Sequence, residues 1–348
     1  MTIIYFILIL GIIVCIHEFG HFLFAKKAGI YVYEFSIGMG PRLIKWNRKN
    51  DETVYSIRLL PIGGFVQMAG EDLAADEKSE IPKEKMMQNK KWHQRFLTIV
   101  AGVMFNFILA IVLLFIIALI HGAPYLGTRV GAVEENSPAA VAGLEAGDKI
   151  VKVGNKKVSN SDILMLELQV QNGKETTFLV EKKDGKKKEI VISPKKVTVD
   201  KKEGYQYGFG LETKTEKGII GAIQYAFGKT ISLVEQMIFI IGYLFTGKLA
   251  LSSLAGPVGI FQVVGETAKT GILNIIYLIA FMSINVGFLN LLPIPAFDGG
   301  RLLFLVIEKI KRSPVSPKVE NTIHSVGFIL LMILMVVITY NDILRLFH

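Results

Sequence analysis

A single cysteine in 348 residues excludes an internal disulfide. Because Cys15 sits within an apolar run, it carries little information about redox compartment. Internal repeats and low-complexity tracts are absent too, so neither a solenoid nor a biased tail organises the chain. The first apolar run has no basic residues ahead of it: Met1 to Ile16 carries none, and Lys26 and Lys27 follow. That order suits a retained membrane anchor and argues against a cleaved signal peptide. Aromatic residues do not interleave with the basic ones, so the formal net charge of +9 reads as topology and surface solvation. No nucleic-acid partner is expected.

Apolar sequence is what the chain has in abundance. It is 51% hydrophobic, with a mean hydropathy of +0.45, too apolar for an ordinary soluble domain. Runs near 3–25, 96–120, 273–297 and 322–344 each supply the roughly 20 residues that a spanning helix needs. The expected fold is an α-helical polytopic membrane protein of about four transmembrane helices, with a membrane-associated β-hairpin region and an inserted α+β domain. Lysine and arginine concentrate in 26–95 and 301–318, which the positive-inside rule assigns to the cytoplasm. The N-terminus is then outside.

Along the chain, residues 1–30 hold the first span. Residues 31–95 mix β-branched and aromatic residues with Gly, Pro and an Asn-Asp turn, and predict short strands close to the membrane, then a charged loop or surface helix over 73–91. The second span occupies 96–121. In 124–198, strand-like runs surround helix candidates, one with Ser137 as N-cap, Pro138 in its first turn and Gly143 at its end. By position, this α+β domain is extracytoplasmic. Residues 199–270 predict interfacial or re-entrant helices, because "MIFIIGYLF" is about half a span and Gly256-Pro257 interrupts the stretch after it. Residues 271–348 hold the third and fourth spans.

The chemistry begins in "VCIHEFGHFLFAKKAG". His17 and His21, four apart, lie on one helical face and can share an ion, with Glu18 beside it; this HExxH arrangement is that of zinc hydrolases. Paired interhelical hydrogen bonds would explain two histidines but not Glu18, since three ionisable groups at hydrocarbon depth cost several kcal/mol unless they serve a site. A catalytic zinc takes a third protein ligand and keeps one open position. The candidate is Asp298 in "NVGFLNLLPIPAFDGGRLLF", where prolines break the helical ladder and glycines permit unusual dihedrals. A helix-capping role for Asp298 is the plainer alternative. Two other classes remain open at this point: a metal transporter or sensor, and a membrane-anchored scaffold.

HEFGH in the first span, "NLLPIPAFDGG" in a later one, the Gly102-x-x-x-Asn106 spacing of "GVMFN", and "LPIGGFVQMAGED" together resemble the bacterial site-2 protease family of intramembrane zinc metalloproteases, over most of the chain. Residues 124–198, with "NSPAAVAGLEAGDKIVKVGNKKV", resemble the PDZ domain that many members carry. The resemblance implies Zn2+ ligation by His17, His21 and Asp298, and Glu18 as catalytic base. It also points to Asn106, Asn290 and Pro293 as substrate-binding positions, although simple interhelical bonding explains the asparagines as well. Implied substrates are membrane proteins with a transmembrane segment, such as anti-sigma factors, leftover signal peptides or pheromone precursors. The implied location is the cytoplasmic membrane, with the active site toward the cytoplasm. Oligomeric state is open.

Overall fold

The structure is a computed structural model that describes residues 1–71, 81–199, 202–313 and 315–347. It divides into two compact units, Met1–Leu113 with Leu251–His348, and Leu114–Ala250. Among the described residues, five helices are long and apolar enough to cross a membrane, as a polytopic membrane protein requires.

In the first unit, α1 (Thr2–Lys27) is apolar around its circumference and ends with Lys26 and Lys27 in its last turn, where cations complement the helix dipole. Two strands follow, β1 (Val32–Asn47) and β2 (Val54–Met68). The sequence predicts short strands here, and the structure has two long ones, each turned back on itself. Phe35 pairs with both Val66 and Tyr55, and Tyr55 also pairs with Trp46, so four segments lie side by side in the order 64–68, 32–37, 54–57, 44–47. Gly38, Gly40 and Gly63, all at positive φ, make the folds. Buried Glu34 holds the layers together through Arg58 at 2.8 Å and through Arg42 and Ser56. The charged segment expected over 73–91 lies outside the described residues at 72–80 and continues as two 3-10 turns, Lys83–Lys85 and Met87–Asn89.

The helix α2 (Trp92–His121) then runs back. Its start is tied to a later helix: Trp92 Nε1 donates to the Leu305 carbonyl at 3.0 Å, and Arg95 pairs with Glu308 at 2.7 Å. Buried Ala25, Ile30, Val32, Met68, Met87, Ile99 and Leu305 form the apolar cluster beneath.

Residues 123–199 and 202–216 of the second unit form a small α+β module. After β3 (Ala123–Pro124), β4 (Val130–Val133) and α3 (Pro138–Val141) come β5 (Lys149–Val153), β6 (Lys156–Lys157) and α4 (Ser161–Gln171). β7 (Thr176–Glu181) and β8 (Lys187–Ile192) complete a four-stranded antiparallel sheet in the order β6-β5-β7-β8. Its core gathers Ile150, Val153, Ile163, Leu164, Phe178 and Ile192. The Ser137 side chain caps α3, accepting the Ala140 amide at 3.2 Å, and Gly143 takes φ +81° just past its end.

Over 199–270 the structure departs from the sequence reading in one respect. Residues Ile219–Phe245 form one continuous helix, α5, of 27 residues, rather than a half-span. The short apolar run is its second half. Its polar face is what disguises its length: Lys229 pairs with Asp162 of α4 at 2.6 Å, Ser232 donates to the same carboxylate, and the Tyr243 hydroxyl donates to buried Glu167.

Back in the first unit, α6 (Pro257–Lys269) and α7 (Ile272–Leu291) pack on α1 through Ile9, Ile13, Val264, Ile275, Leu278 and Met282. The apolar run expected to 297 stops as a helix at Leu291. Pro293 and Pro295 make the loop, and Asp298 opens α8 (Asp298–Lys311) instead of closing the span. The last helix, α9, covers Pro317–Phe347.

Candidate metal centre

The four-residue spacing on α1 turns both imidazoles to one side, with Nε2 atoms 3.1 Å apart. Both residues are buried, at 7% exposure each. Facing them, α2 presents Thr98, Gly102 and Asn106, a stripe at four-residue steps. A Cβ at Gly102 would collide with the His21 ring and lie 2.8 Å from His17 Nε2, so glycine is what lets the helices approach. Gly20 of α1 meets the same helix, where a Cβ would fall 2.5 Å from the Ala101 carbonyl oxygen.

The structure brings Asp298 to this pair from 281 residues away. Its Oδ2 is 3.0 Å from His17 Nε2 and 3.2 Å from His21 Nε2. Gly299 and Gly300 serve this by close approach rather than by unusual dihedrals. A Cβ on Gly299 would collide with the Leu292 carbonyl oxygen, and one on Gly300 would lie 2.7 Å from that of Ile294. The residue that does take positive φ is Ala296, at +84°.

These donors fit a tetrahedral cation. Zinc at about 2.0–2.1 Å from each ligand puts ligand atoms about 3.3 Å apart, and the three observed separations are 3.0, 3.1 and 3.2 Å. The ring tautomers agree. His21 Nδ1 lies 2.8 Å from the Thr98 carbonyl oxygen, so it carries the proton and leaves a lone pair on Nε2. Beside His17 Nδ1, at 3.3 Å, stands the Asn106 amide nitrogen, while Asn106 Oδ1 is buried without a partner among the described residues. A half-turn of that amide satisfies both groups: Nδ1–H then donates to Oδ1, and the His17 lone pair also points into the cluster.

Glu18, beside the pair, accepts the Val66 amide of β2 through Oε2 at 3.1 Å. His17, Glu18, His21 and Asp298 line one cavity of about 1330 Å³, which also reaches Asn290 and His324. Of the three residues expected to touch substrate, Asn290 lines this cavity, Pro293 is exposed outside it, and Asn106 is fully buried behind His17. Thr98 and His324 carry no expectation from the sequence. The small and polar residues at 98, 102 and 106 in an otherwise apolar helix are the signal that marks the first.

The model of peptidase family M50 matches residues 5–334. Zinc metalloprotease RasP of Shouchella clausii (strain KSM-K16) is 34% identical over 422 aligned positions, covering 99% of each chain. Regulator of sigma-W protease RasP of Bacillus subtilis (strain 168) is 35% identical over 421, again 99% of each. A putative zinc metalloprotease of Staphylococcus aureus (strain MSSA476), SAS1196, is 34% identical over 429, with 100% of this chain covered and 99% of the relative. With a family match across both long apolar ends and full-length similarity to these proteins, the chain belongs to peptidase family M50, the site-2 proteases, and is a zinc metalloprotease.

Proposed function

We propose that this protease hydrolyses peptide bonds within or beside the transmembrane segments of other membrane proteins. The observation that carries the proposal is the meeting of His17 and His21, on the apolar helix α1, with Asp298 at the start of α8, all within 3.2 Å and with Glu18 in the same cavity. A zinc ion held by the three donors supplies Lewis acidity, polarising the scissile carbonyl and acidifying a water. Glu18 acts as general base and then general acid. With one carboxylate oxygen engaged by Val66, it takes a proton from the attacking water, whose oxygen bonds to the carbonyl carbon. It then returns the proton to the amide nitrogen as the C–N bond breaks.

A spanning helix hides its carbonyls in internal hydrogen bonds, so the substrate must reach Glu18 extended. Segment 64–68 of β2 pairs with 32–37 on one side, while Phe65 and Val66 border the cavity. Its other edge is suited to take an added strand, with Asn290 across the cavity as a partner for freed backbone.

We infer further that the active site opens toward the cytoplasm and that residues 124–198 are an extracytoplasmic PDZ domain. In this arrangement α5 does not cross the bilayer. An extra crossing between α2 and α7 would put Asp298 on the opposite side from His17 and His21, about 30 Å away. By analogy with the relative named as a regulator of sigma-W, a membrane-anchored regulator of a sigma factor is a fitting substrate. The test is Glu18→Gln, purified in detergent and assayed on a model spanning substrate. Cleavage should fall by about 10²–10⁴-fold with zinc content unchanged, and full activity would remove Glu18 as base.

A further inference from the structure

The left-handed turn two residues ahead of Asp298 is gripped by the last helix. A φ of +84° is a backbone that an alanine adopts only under constraint. His324 on α9 supplies one, its Nδ1 accepting the Ala296 amide at 3.1 Å. Three residues on, a Cβ at Gly327 would lie 2.9 Å from the carbonyl carbon and oxygen of Pro295, so α9 closes on both the C=O and the N–H of the one peptide unit that joins Pro295 to Ala296. The loop's own hydrogen bonds, Ile294 to Leu292 at 2.7 Å and Phe297 to Ile294 at 3.2 Å, bracket Ala296 without using its amide. Phe304 of α8 packs against the imidazole, with ring centroids 5.6 Å apart. An accepting Nδ1 keeps the neutral ring's proton on Nε2, which is buried with no partner among the described residues.

We propose that His324 is a positioning residue of the metal centre: by accepting the Ala296 amide, it locks the turn that aims the Asp298 carboxylate at His17 and His21. Without an acceptor there, Ala296 can relax to negative φ, and the swing falls on the residue two places along. The proposal rests on Asp298 being a zinc ligand. It differs from simple packing in what can replace the imidazole. A side chain of similar bulk without an acceptor should fail, one with an oxygen at the Nδ1 position should serve, and glycine at 296 should make the acceptor unnecessary.

The experiment measures zinc loss to a chelator from the purified full-length protein in detergent, alongside cleavage of a spanning substrate. His324→Leu should speed zinc loss at least tenfold and His324→Asn should stay within threefold of the wild type. Adding Ala296→Gly to His324→Leu should recover most of the difference, and Ala296→Gly alone should change little. Should His324→Leu not fold, His324→Gln replaces it, with its acceptor one carbon too far along. Wild-type zinc retention in the acceptor-less variant, or no recovery from Ala296→Gly, overturns the proposal. Asp298→Asn is the separating control: full zinc retention there defeats the ligand reading itself, whereas lost zinc there with an indifferent His324 defeats the positioning role alone.

Discussion

Gly102→Ala should damage the metal centre while leaving the helix that carries it intact or firmer. In a helix interior, glycine to alanine ordinarily stabilises by about 1 kcal/mol. At position 102 the added methyl group would collide with the His21 ring and lie 2.8 Å from His17 Nε2. Ordinary contact begins near 3.4 Å, so the His17 ring must retreat by about 0.6 Å, roughly three times the ±0.2 Å that zinc coordination distances tolerate. His21 must move farther, and its 2.8 Å bond to the Thr98 carbonyl resists the motion. Zinc affinity should fall at least 100-fold, equivalent to about 2.7 kcal/mol. Chelator competition with metal analysis reads the affinity, and circular dichroism in detergent reads helix content and thermal stability. Affinity within threefold of the wild type would refute the argument, because the histidines would then not be bound to the positions the helix contact dictates.

Asn106→Ala should lower zinc affinity about 10–100-fold, as loss of an outer-shell partner does, and Asn106→Asp should restore it by accepting the His17 Nδ1 proton. Equal affinities for Asn106→Ala and Asn106→Asp would point to packing instead. In the hairpin, burial works to raise the Glu34 carboxyl, but Arg42, Ser56 and Arg58 hold it below its ordinary 4.5. A depressed folded value contributes stability that is present above about pH 4.5 and lost as pH falls through the lower folded value. Hydrogen-exchange protection over 32–68, taken relative to the intrinsic rate at each pH, should therefore fall in acid, and Glu34→Gln should flatten that dependence.

Local patterns were legible in the sequence. The four-residue spacing of His17 and His21 is a property of any helix, and the prolines at 293 and 295 announce a break wherever they fall in an apolar run. Composition alone established the membrane class, and Ser137, Pro138 and Gly143 marked a short helix from side-chain chemistry alone. Long-range and strained features were not legible. Nothing in the letters "PIPAFDGG" assigns positive φ to the alanine rather than to a glycine. The partnership of His324 with Ala296 joins residues 28 apart that share no pattern. Asn106 sits in a span with no mark to show whether it faces substrate or a histidine. The β strands were underestimated because the glycines that look like strand ends, Gly38 and Gly40, are folds within one strand. For α5, the apolar run "MIFIIGYLF" is only about half a span, and the buried pairing of Lys229 with Asp162 that lets the helix extend ahead of it is invisible without the fold.

X-ray absorption at the zinc edge, on purified protein of wild-type sequence and on Asp298→Asn, tests most directly whether the two imidazoles and the distant carboxylate share one ion. The wild type should hold one zinc per chain with two imidazoles and oxygen donors at about 2.0–2.1 Å. Asp298→Asn should lose most of its metal. A wild-type spectrum without imidazole scattering, or a full complement of zinc in Asp298→Asn, would contradict the account.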